Sequence, residues 1–335
     1  MFKEPSNTPQ LEVSVIVPVK DESEHLEACL RALLEQDLPG ECYEVLVVDD
    51  GSKDETPEIA IQYGVRLVRG KHRGAAAARN RGVAAARGRL VLFIDGDCVA
   101  EPSWARILIH PLQTQSSLVS VGRYISNQQP WVSRLVQLEL EDRYARMENH
   151  EQIDFINTGT CAMPKSLLLQ QKFNEQFGRL EDIELSFRLA ENDIPMIFVP
   201  EARVYHYHPE TLWQYVARRF HYARYAPLLY RRFPAKALAD SSTPQKRRWQ
   251  LLLLAITLLF LLGSLRYPIL LSAAALMGIG SLALSLPVLA QVLRKCPALA
   301  LLTPLFILAG NLAFVGGIAI GLVDCLVDKN DPEMQ

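Results

Sequence analysis

Short, largely apolar segments alternate with longer, partly polar segments over the first hundred residues of the chain. The apolar segments are rich in β-branched residues and predict strands at Val13–Val19, Glu44–Val48, Val65–Val68 and Leu90–Ile94. The segments between them predict helices at Glu22–Gln36, Thr56–Tyr63 and Gly74–Arg87. Apolar strands that alternate with helices are typical of a parallel sheet covered on both faces. We therefore predict an α/β domain with a mostly parallel sheet.

The last third of the chain has a different pattern, with long apolar runs and few charges. The runs cover Trp249–Leu265, Tyr267–Leu293 and Pro297–Val323. Each is close to the roughly 20 residues that a helix needs to cross a bilayer, and none has the polar face of a helix on a soluble domain. We predict two to three transmembrane helices within 249–327, then a tail at 328–335. The tight turn at Arg266–Pro268 leaves a re-entrant hairpin open as the alternative to two full spans.

Basic residues flank these apolar runs. Lys246, Arg247 and Arg248 precede the first run, and Arg294 and Lys295 follow the second. Positive charges of this kind favour the cytoplasmic side of a membrane. The start of the chain lacks the basic beginning and long apolar core of a signal peptide. The sequence therefore predicts a multi-pass protein of the cell membrane whose N-terminal domain is cytoplasmic.

A segment rich in arginine and aromatic residues precedes the first apolar run. Trp213–Lys236 interleaves Arg with Tyr, Phe, Trp and Leu. This composition is typical of amphipathic helices at a headgroup surface, and an ordinary surface helix of the soluble domain is the alternative. The predicted organisation is an α/β domain at 1–208, interfacial helices at 209–248 and a membrane segment at 249–327.

The composition argues against a nucleic-acid-binding protein. Lys and Arg number 35 and Asp and Glu number 37, so the chain has no strong basic field. Its six cysteines are scattered without the spacing of a zinc site. They favour free thiols in a reducing compartment.

Polar residues cluster where three predicted strands end, at the edge where parallel α/β sheets bind ligands. The clusters are Lys20–Glu22, Asp49–Ser52 and Asp95–Asp97. Two carboxylates one residue apart, such as Asp95 and Asp97, can face one hard cation that bridges phosphates. A turn followed by a helix cap is the structural alternative for the second cluster.

The glycine-rich loops that bind phosphates in dinucleotide-binding and P-loop proteins do not occur in this sequence. No G-x-G-x-x-G follows the first strand, and no G-x-x-x-x-G-K-[ST] is present. The charge of a bound diphosphate would then be met by a metal ion and by basic side chains. Arg69–Arg81 contains such a basic cluster.

Ordered motifs run along residues 11–225. In the first half they are VSVIVPVKDE (Val13–Glu22), VLVVDDGSKDET (Val45–Thr56), GAAAARNRG (Gly74–Gly82) and VLFIDGDC (Val91–Cys98). Further on they are NTGTCAMPKSLL (Asn157–Leu168), GRLEDIELSFRL (Gly178–Leu189) and VYHYHPETL (Val204–Leu212). Together these motifs resemble family 2 glycosyltransferases of the GT-A fold. The resemblance implies an enzyme that transfers a sugar from a nucleotide-sugar donor.

The resemblance also implies roles for individual residues. Those expected to bind the nucleotide are Pro18, Val19, Glu22, Asp49, Asp50, Arg73 and Asp95, with Arg79 or Asn80 ordering the same wall. Asp95 and Asp97 would hold Mg²⁺ or Mn²⁺, and His206 or His208 would complete the metal shell or contact phosphate. The donor sugar and the acceptor would lie at Thr158, Gly159 and Thr160.

The resemblance also implies that Asp182 is the catalytic base, the group that deprotonates the attacking hydroxyl in a transfer with inversion. Glu181 beside it would raise one of the two pKa values through like-charge repulsion. An acidic first helical turn, favoured by the helix dipole, is the structural alternative for Glu181–Glu184.

Processive polymer synthases of this family carry a Gln-x-x-Arg-Trp segment after the base. The corresponding stretch here, Gln214–Phe220, lacks that Trp and that spacing. The sequence therefore favours the addition of a single sugar from a UDP- or GDP-sugar. The expected acceptor is membrane-associated: a polyprenyl-phosphate, a lipid-linked glycan or a glycolipid.

Two other functions share this fold class. One is a non-catalytic nucleotide-sugar-binding scaffold of a membrane glycan-assembly complex, which would need neither the Asp95–Asp97 pair nor the Glu181–Asp182 pair. The other is a nucleotidyltransferase, which usually needs a glycine-rich loop with a basic residue after the first strand. Fold alone does not decide between them.

Overall fold

The structure is a computed structural model that describes residues 11–115, 117–241 and 243–327. These residues fall into two compact units. The first contains the residues up to Ile125 together with Glu148–Tyr207, and the second contains Ser126–Met147 and the residues from His208 onward. The predicted tail at 328–335 and the first ten residues of the predicted domain 1–208 lie outside the described residues.

An eight-stranded sheet runs through the described part of the first unit. Its strands are β1 (Val13–Val19), β2 (Tyr43–Asp49), β3 (Arg66–Arg69), β4 (Leu90–Phe93), β5 (Cys98–Ala100), β6 (Val119–Ile125), β7 (Cys161–Pro164) and β8 (Met196–His206). They lie in the order β3-β2-β1-β4-β7-β6-β8-β5. The first four pair in parallel, as do β6 and β8, whereas β7 is antiparallel to both neighbours and β5 to β8. The predicted mostly parallel sheet is confirmed.

The α-helices of the described residues alternate with the strands in the first unit and make up most of the second. They are α1 (Leu26–Leu34), α2 (Thr56–Gln62), α3 (Ala75–Ala85), α4 (Trp104–Thr114), α5 (Trp131–Met147), α6 (Lys165–Gln170), α7 (Glu181–Glu191), α8 (Leu212–Arg232), α9 (Pro234–Leu238), α10 (Gln245–Ser264), α11 (Leu270–Ala283), α12 (Leu286–Lys295) and α13 (Thr303–Val327). The three helices predicted between the first strands are α1, α2 and α3.

The central strands are apolar because helices cover them. Every residue of β1 is buried except Pro18, a predicted nucleotide-binding residue, which is half-buried. On one side α3 comes very close: a Cβ on Gly82 would lie 2.6 Å from Cγ2 of Ile16 and 3.0 Å from Cγ2 of Val48. Because small residues allow this approach, Arg79, one turn earlier on α3, is buried in the interior of the unit.

Within the described residues of the second unit, three stretches are long and apolar enough to cross a membrane: Gln245–Ser264, Leu270–Lys295 and Thr303–Val327. They coincide with the three predicted apolar runs. In their most apolar stretches, 11%, 11% and 33% of the residues are buried within the protein. The third is therefore the most covered by other parts of its unit.

Helix α8 provides this cover by packing along α13. A Cβ on Gly310 would lie 2.6 Å from Oη of Tyr215, and a Cβ on Gly321 would lie 2.0 Å from the carbonyl oxygen of Arg224. Small residues on one helix let a second helix approach closely. Because the contacts advance in the same direction along both helices, α8 and α13 lie side by side. The predicted position of α8 at a membrane surface stays a prediction.

The start of α8 explains one residue of the stretch that departs from Gln-x-x-Arg-Trp. Thr211 Oγ1 accepts a hydrogen bond from the N–H of Gln214 (3.3 Å), and Gln214 Oε1 accepts one from the N–H of Thr211 (3.1 Å). This reciprocal pair is a capping box that satisfies free N–H groups at a helix start. Gln214 thus stabilises the first turn of α8.

Candidate active site

The loop after β1 and the loop after β2 are joined by hydrogen bonds in which backbone N–H groups of one loop donate to side-chain oxygens of the other. The N–H of Asp21 donates to Ser52 Oγ (2.9 Å), and the N–H of Lys53 donates to Asp21 Oδ1 (2.7 Å). The N–H of Glu22 donates to Thr56 Oγ1 (2.8 Å). Asp21 has a φ of 52°, a left-handed conformation that these bonds stabilise. The polar edge of the sheet is fixed in this way.

Asp49 and Asp50 are buried and accept hydrogen bonds from backbone N–H groups. Asp49 Oδ1 accepts from the N–H of Ser52 (2.9 Å), and Asp50 Oδ2 accepts from the N–H of Gly74 (2.7 Å). Asp50 also accepts from the N–H of Arg73, whose side chain is exposed. The carboxylates therefore hold the turn after β2 and the loop before α3. The roles of Asp49, Asp50 and Arg73 toward a nucleotide stay predictions.

Val19 and Glu22 lie against the turn that carries the two aspartates after β4. A Cβ on Gly96 would lie 2.8 Å from Cγ1 of Val19 and 2.9 Å from Cγ of Glu22, so glycine is needed between the aspartates. Burial, and then the charge of Asp97, raises the pKa of Glu22 to about 7, although a contact with His25 opposes the rise. The structure thus brings Glu22 next to the Asp95–Asp97 pair.

Asp97, Cys98 and His206 form a group whose possible ligand atoms all lie within 4.8 Å of one another. Oδ2 of Asp97 lies 3.6 Å from Nε2 of His206. Burial, and then the charges of Asp97 and Asp95, raises the pKa of Cys98 well above its usual value, so its thiol is neutral in the metal-free protein. A carboxylate beside an imidazole fits a divalent cation, and the carboxylate favours Mg²⁺ or Mn²⁺.

The structure does not group His208 with this pair. Burial alternates from Ala202 to His208, so His206 and His208 lie on the same side of the chain, as their spacing predicts. His208, however, belongs to the second unit, where its Nε2 lies 2.8 Å from Oε1 of Gln137. Its assignment as a metal ligand stays a prediction.

Asp95 has a different environment from Asp97. Its Oδ1 accepts a hydrogen bond from Nη2 of Arg79 (3.1 Å), and its Oδ2 lies 3.2 Å from Oη of Tyr124. The same Tyr124 hydroxyl lies 3.0 Å from Oδ1 of Asn157. Tyr124 and Asn157 were not among the residues expected from the sequence.

Arg79 joins Asp95 to the start of α7. Its Nη1 pairs with Oε1 of Glu181, and its guanidinium lies over the ring of Phe173, 5.8 Å from the centroid. Burial acts to lower the pKa of Arg79, but the charges of Glu181, Asp95 and Asp182 outweigh it and raise the pKa, so the guanidinium stays charged. The sequence predicts Arg79 as part of the basic cluster and as a residue that orders the nucleotide wall. Its link between the two acidic pairs is a new feature of the site.

Asp182 lies in the first turn of α7, beside Glu181. Its Oδ1 accepts a hydrogen bond from the N–H of Ile183 (2.8 Å). Burial, and then the charge of Glu181, raises the pKa of Asp182 to about 7, while Arg79 opposes the rise. The sequence predicts a raised pKa for one of the two residues through repulsion, and in the structure burial is the larger cause of the rise at Asp182. A pKa near neutrality suits a general base.

The segment 158–160 packs tightly against Asp95, Tyr124 and Trp104. A Cβ on Gly159 would lie 1.6 Å from Oη of Tyr124 and 2.7 Å from Oδ2 of Asp95. Thr158 and Thr160 are buried, and Thr160 Oγ1 accepts a hydrogen bond from Nε1 of Trp104 (2.9 Å). Gly159 therefore lies directly against Asp95, and contact of the two threonines with a sugar stays a prediction.

The chain is similar to known glycosyltransferases in sequence. Residues 14–175 match the profile of Glycosyl transferase family 2. Glycosyltransferase AglE of Haloferax volcanii is 43% identical over 98 residues, which are 28% of this chain and 32% of that protein. A pre-mycofactocin glycosyltransferase of Mycobacterium tuberculosis is 26% identical over 244 residues, which are 69% of this chain and 50% of that protein. The chain thus spans half or less of the length of these relatives.

A solved structure shares the fold. The mannosyltransferase PcManGT from Pyrobaculum calidifontis, solved in complex with GDP-Man and Mn²⁺, superposes with a TM-score of 0.55 at 21% identity. The match covers 96% of this chain and 88% of that one. The fold class expected from the sequence is confirmed: the chain has a GT-A-like fold, and its residues 14–175 are similar to Glycosyl transferase family 2.

Proposed function

We propose that this protein is an inverting, metal-dependent glycosyltransferase that moves one sugar from a UDP- or GDP-sugar to a membrane-associated acceptor. The observation that carries the proposal is the link through Arg79, which joins Asp95 to the start of α7, where Asp182 lies. Through this link, the Asp95–Asp97 pair, which suits a donor diphosphate, is connected to the helix that carries Asp182, a carboxylate suited to proton removal. PcManGT, which shares the fold and was solved with GDP-Man and Mn²⁺, supports the choice of donor class and metal.

In this proposal Asp182 takes the proton of the acceptor hydroxyl while the hydroxyl oxygen attacks the anomeric carbon of the donor sugar. The bond from that carbon to the diphosphate oxygen breaks, and the diphosphate leaves with the bonding electrons. Because attack and departure occur on opposite faces, the configuration inverts. The raised pKa of Asp182, about 7, makes this carboxylate a better proton acceptor than an ordinary aspartate.

Asp97 and His206 are the residues that would hold Mg²⁺ or Mn²⁺. Such an ion, when bound, neutralises charge that develops on the leaving diphosphate. Asp95 would contribute through its carboxylate, oriented by Arg79 and Tyr124. In the metal-free protein the pKa of Glu22 is raised to about 7, so Glu22 can hold a proton beside Asp97 and limit repulsion within the cluster.

We further propose that the apolar helices hold the protein in the cell membrane, with the sheet domain on the cytoplasmic side. The support is the basic flanks of α10 and of the end of α12. The acceptor would then be a polyprenyl-phosphate, a lipid-linked glycan or a glycolipid. Addition of one sugar rests on the missing Gln-x-x-Arg-Trp segment.

Thermal stabilisation of the detergent-purified chain by UDP and GDP, with and without Mn²⁺, tests this proposal, because a ligand that binds only the folded state raises Tm. Asp97→Ala should weaken Mn²⁺-dependent nucleotide binding by about tenfold or more, since it removes a charged ligand. The control is Asp37→Ala, which removes an exposed carboxylate whose partner is the exposed Arg106. Equal binding with and without Mn²⁺ would contradict the metal role.

Turnover separates the proposed transferase from the non-catalytic scaffold. Release of the nucleoside diphosphate from a UDP- or GDP-sugar, in the presence of total membrane lipids, is expected for the transferase. Nucleotide-sugar binding without such release would instead favour the non-catalytic scaffold. No binding of any nucleotide by folded protein would overturn both.

Gly159→Ala should damage the site through packing alone. The added methyl would overlap Tyr124 and press on Asp95, and overpacking of this kind costs about 1–3 kcal/mol. We expect a lower Tm and a loss of Mn²⁺-dependent nucleotide stabilisation. Gly40→Ala is the matched control, because a Cβ there meets nothing within 4 Å. A Gly159→Ala protein that binds nucleotide like the parent would show that this contact is dispensable.

A further inference from the structure

Arginines from three helices gather around one carboxylate in the second unit. Glu139 of α5 pairs with Arg247 of α10 (Nη1 to Oε1, 3.0 Å) and lies near Arg219 of α8 (Nη1 to Oε2, 3.8 Å). Arg143, one turn further along α5, is close enough to Arg247 for their charges to interact. We call Arg143, Arg219 and Arg247 the arginine cluster. Glu139 is shared by Arg219 and Arg247, and the charge of Asp142 also acts on Arg247.

Arg219 has two donors that no described residue satisfies. Its Nε and Nη2 are buried, and no hydrogen-bond acceptor for them exists within residues 11–115, 117–241 and 243–327. The guanidinium is held in place between the rings of Tyr215 and Phe314, 5.6 Å from each centroid. A buried donor without a partner is costly, so such groups in a native protein point to an unseen partner. Nε and Nη2 form the side of the guanidinium that binds two oxygens of a phosphate at once.

An apolar cluster adjoins the arginines through Tyr215. The cluster consists of Val132, Leu135, Tyr215, Val292, Leu299 and Phe306. The ring of Tyr215 stacks on Phe306 (4.1 Å between centroids) and also lies beside the guanidinium of Arg219. These six side chains are buried, so the arginine cluster borders a packed apolar core that holds Tyr215 in place beside Arg219.

The position along the helices points to a membrane lipid. Arg247 lies in the first turn of α10, and Phe306 lies in the first turn of α13, both of which are long and apolar enough to cross a bilayer. The ends of membrane-spanning helices lie at the level of the lipid headgroups, where basic side chains meet phosphates. The arginine cluster thus lies where a lipid phosphate would be.

We propose that the arginine cluster binds the phosphate of a membrane lipid, with the hydrocarbon along exposed apolar side chains of the long helices, such as Leu252 of α10. Phosphate fits better than a carboxylate, because several oxygens around one phosphorus can accept from more than one guanidinium at once. The site lies in the second unit, whereas Asp95, Asp97 and Asp182 lie in the first. The inference therefore goes beyond the proposed sugar transfer and does not depend on it.

Binding of radiolabelled dioleoyl phosphatidic acid to the full chain in detergent micelles tests the site. Arg219→Gln should weaken binding by about tenfold, the loss expected when a charge-assisted hydrogen bond is removed. Arg218→Gln is the matched control, since Arg218 is the exposed neighbour on the same helix and its loss should have less than about a twofold effect. Equal binding of dioleoylglycerol, which lacks the phosphate, would overturn the proposal. If inorganic phosphate displaced the bound phosphatidic acid at a comparable concentration, the site would bind free phosphate and not specifically the phosphate of a lipid.

A second variant separates ligand binding from simple pairing inside the protein. Glu139 competes with a phosphate for the same guanidinium groups, so Glu139→Gln should leave phosphatidic acid binding as tight as in the parent or tighter. If Arg219 and Arg247 served only to neutralise Glu139, neither Glu139→Gln nor Arg219→Gln would change the binding of phosphatidic acid, and the proposal would be overturned. These measurements contain no sugar nucleotide, so their failure and a failure of the donor-binding test are distinguishable.

Discussion

Asp182→Asn should reduce sugar transfer by about 10²–10⁴-fold, the usual contribution of a general base, while Mn²⁺-dependent nucleotide binding stays close to that of the parent. The substitution removes the proton acceptor but keeps the shape of the side chain. The Asn oxygen can still accept the hydrogen bond from the N–H of Ile183 that Asp182 Oδ1 accepts now (2.8 Å). The measurement is kcat for release of the nucleoside diphosphate, beside nucleotide binding followed by Tm.

The pH dependence of sugar transfer by the parent protein also tests Asp182 as the base. A base works only when it is ionised, so transfer should rise with pH through the pKa of Asp182, about 7, and level off above it. Asp182→Asn should lose this rise and keep only a low, flat activity. A parent profile that stays flat between pH 5 and pH 8 would count against Asp182 as the base.

The stability of the same variant gives an independent check on its folding. The raised pKa means that folded protein keeps a proton that the unfolded chain releases near its usual value, so this group favours unfolding increasingly as pH rises toward about 7. In metal-free buffer Asp182→Asn should therefore have a higher Tm than the parent at pH 8, with the difference shrinking toward pH 4. Glu191→Gln, at the exposed far end of α7, is the control and should change neither Tm nor transfer. Loss of nucleotide binding in a folded Asp182→Asn protein would contradict its role as base.

The first four strands of the sheet could be predicted because each has a recognisable pattern in its own short stretch of sequence. β1, β2, β3 and β4 follow from apolar runs that alternate with helices, and the Asp95–Asp97 pair follows from its place after β4. The strands from β5 to β8 pair partly antiparallel, and the alternation of strand and helix carries no information about that order. β5, with three residues, is too short to give a periodic pattern at all.

The contacts that complete the candidate site join residues that are distant in the sequence. Arg79 and Glu181 are 102 positions apart, and Tyr124 reaches Asp95 across 29. Nothing in the local pattern of α3 indicates which buried carboxylate its arginine will meet. One signal was available: a single arginine in the alanine-rich face of α3 must find a buried partner if that face packs on the sheet. The packing of α8 along α13 could not be predicted for a related reason. Glycines at 310, 317 and 321 indicate that another helix comes close, but they do not say which helix it is.

Arg79→Met should be the most disruptive single change in the first unit. It removes the cation that Asp95 and Glu181 share, and loss of one partner of a buried ion pair costs about 3–5 kcal/mol. We expect a fall in Tm of several degrees and loss of Mn²⁺-dependent nucleotide binding, because Asp95 would no longer be held in its present orientation. Arg87→Met, an exposed position just beyond the same helix, removes an equal charge and should leave both properties unchanged.

The double variant Arg79→Met with Glu181→Gln distinguishes this electrostatic link from mere filling of space. If the cost of Arg79→Met comes from uncompensated negative charge, removing the Glu181 charge should restore part of the lost Tm. If Arg79 mainly fills space beside Phe173, the two substitutions should add, and the double variant should be the least stable of the three. Arg79→Lys refines the test, because an ammonium keeps the charge but cannot reach Asp95 and Glu181 with the two arms of a planar fork. It should therefore retain more stability than Arg79→Met while nucleotide binding stays impaired, and full recovery of binding with lysine would show that charge alone is sufficient at this position.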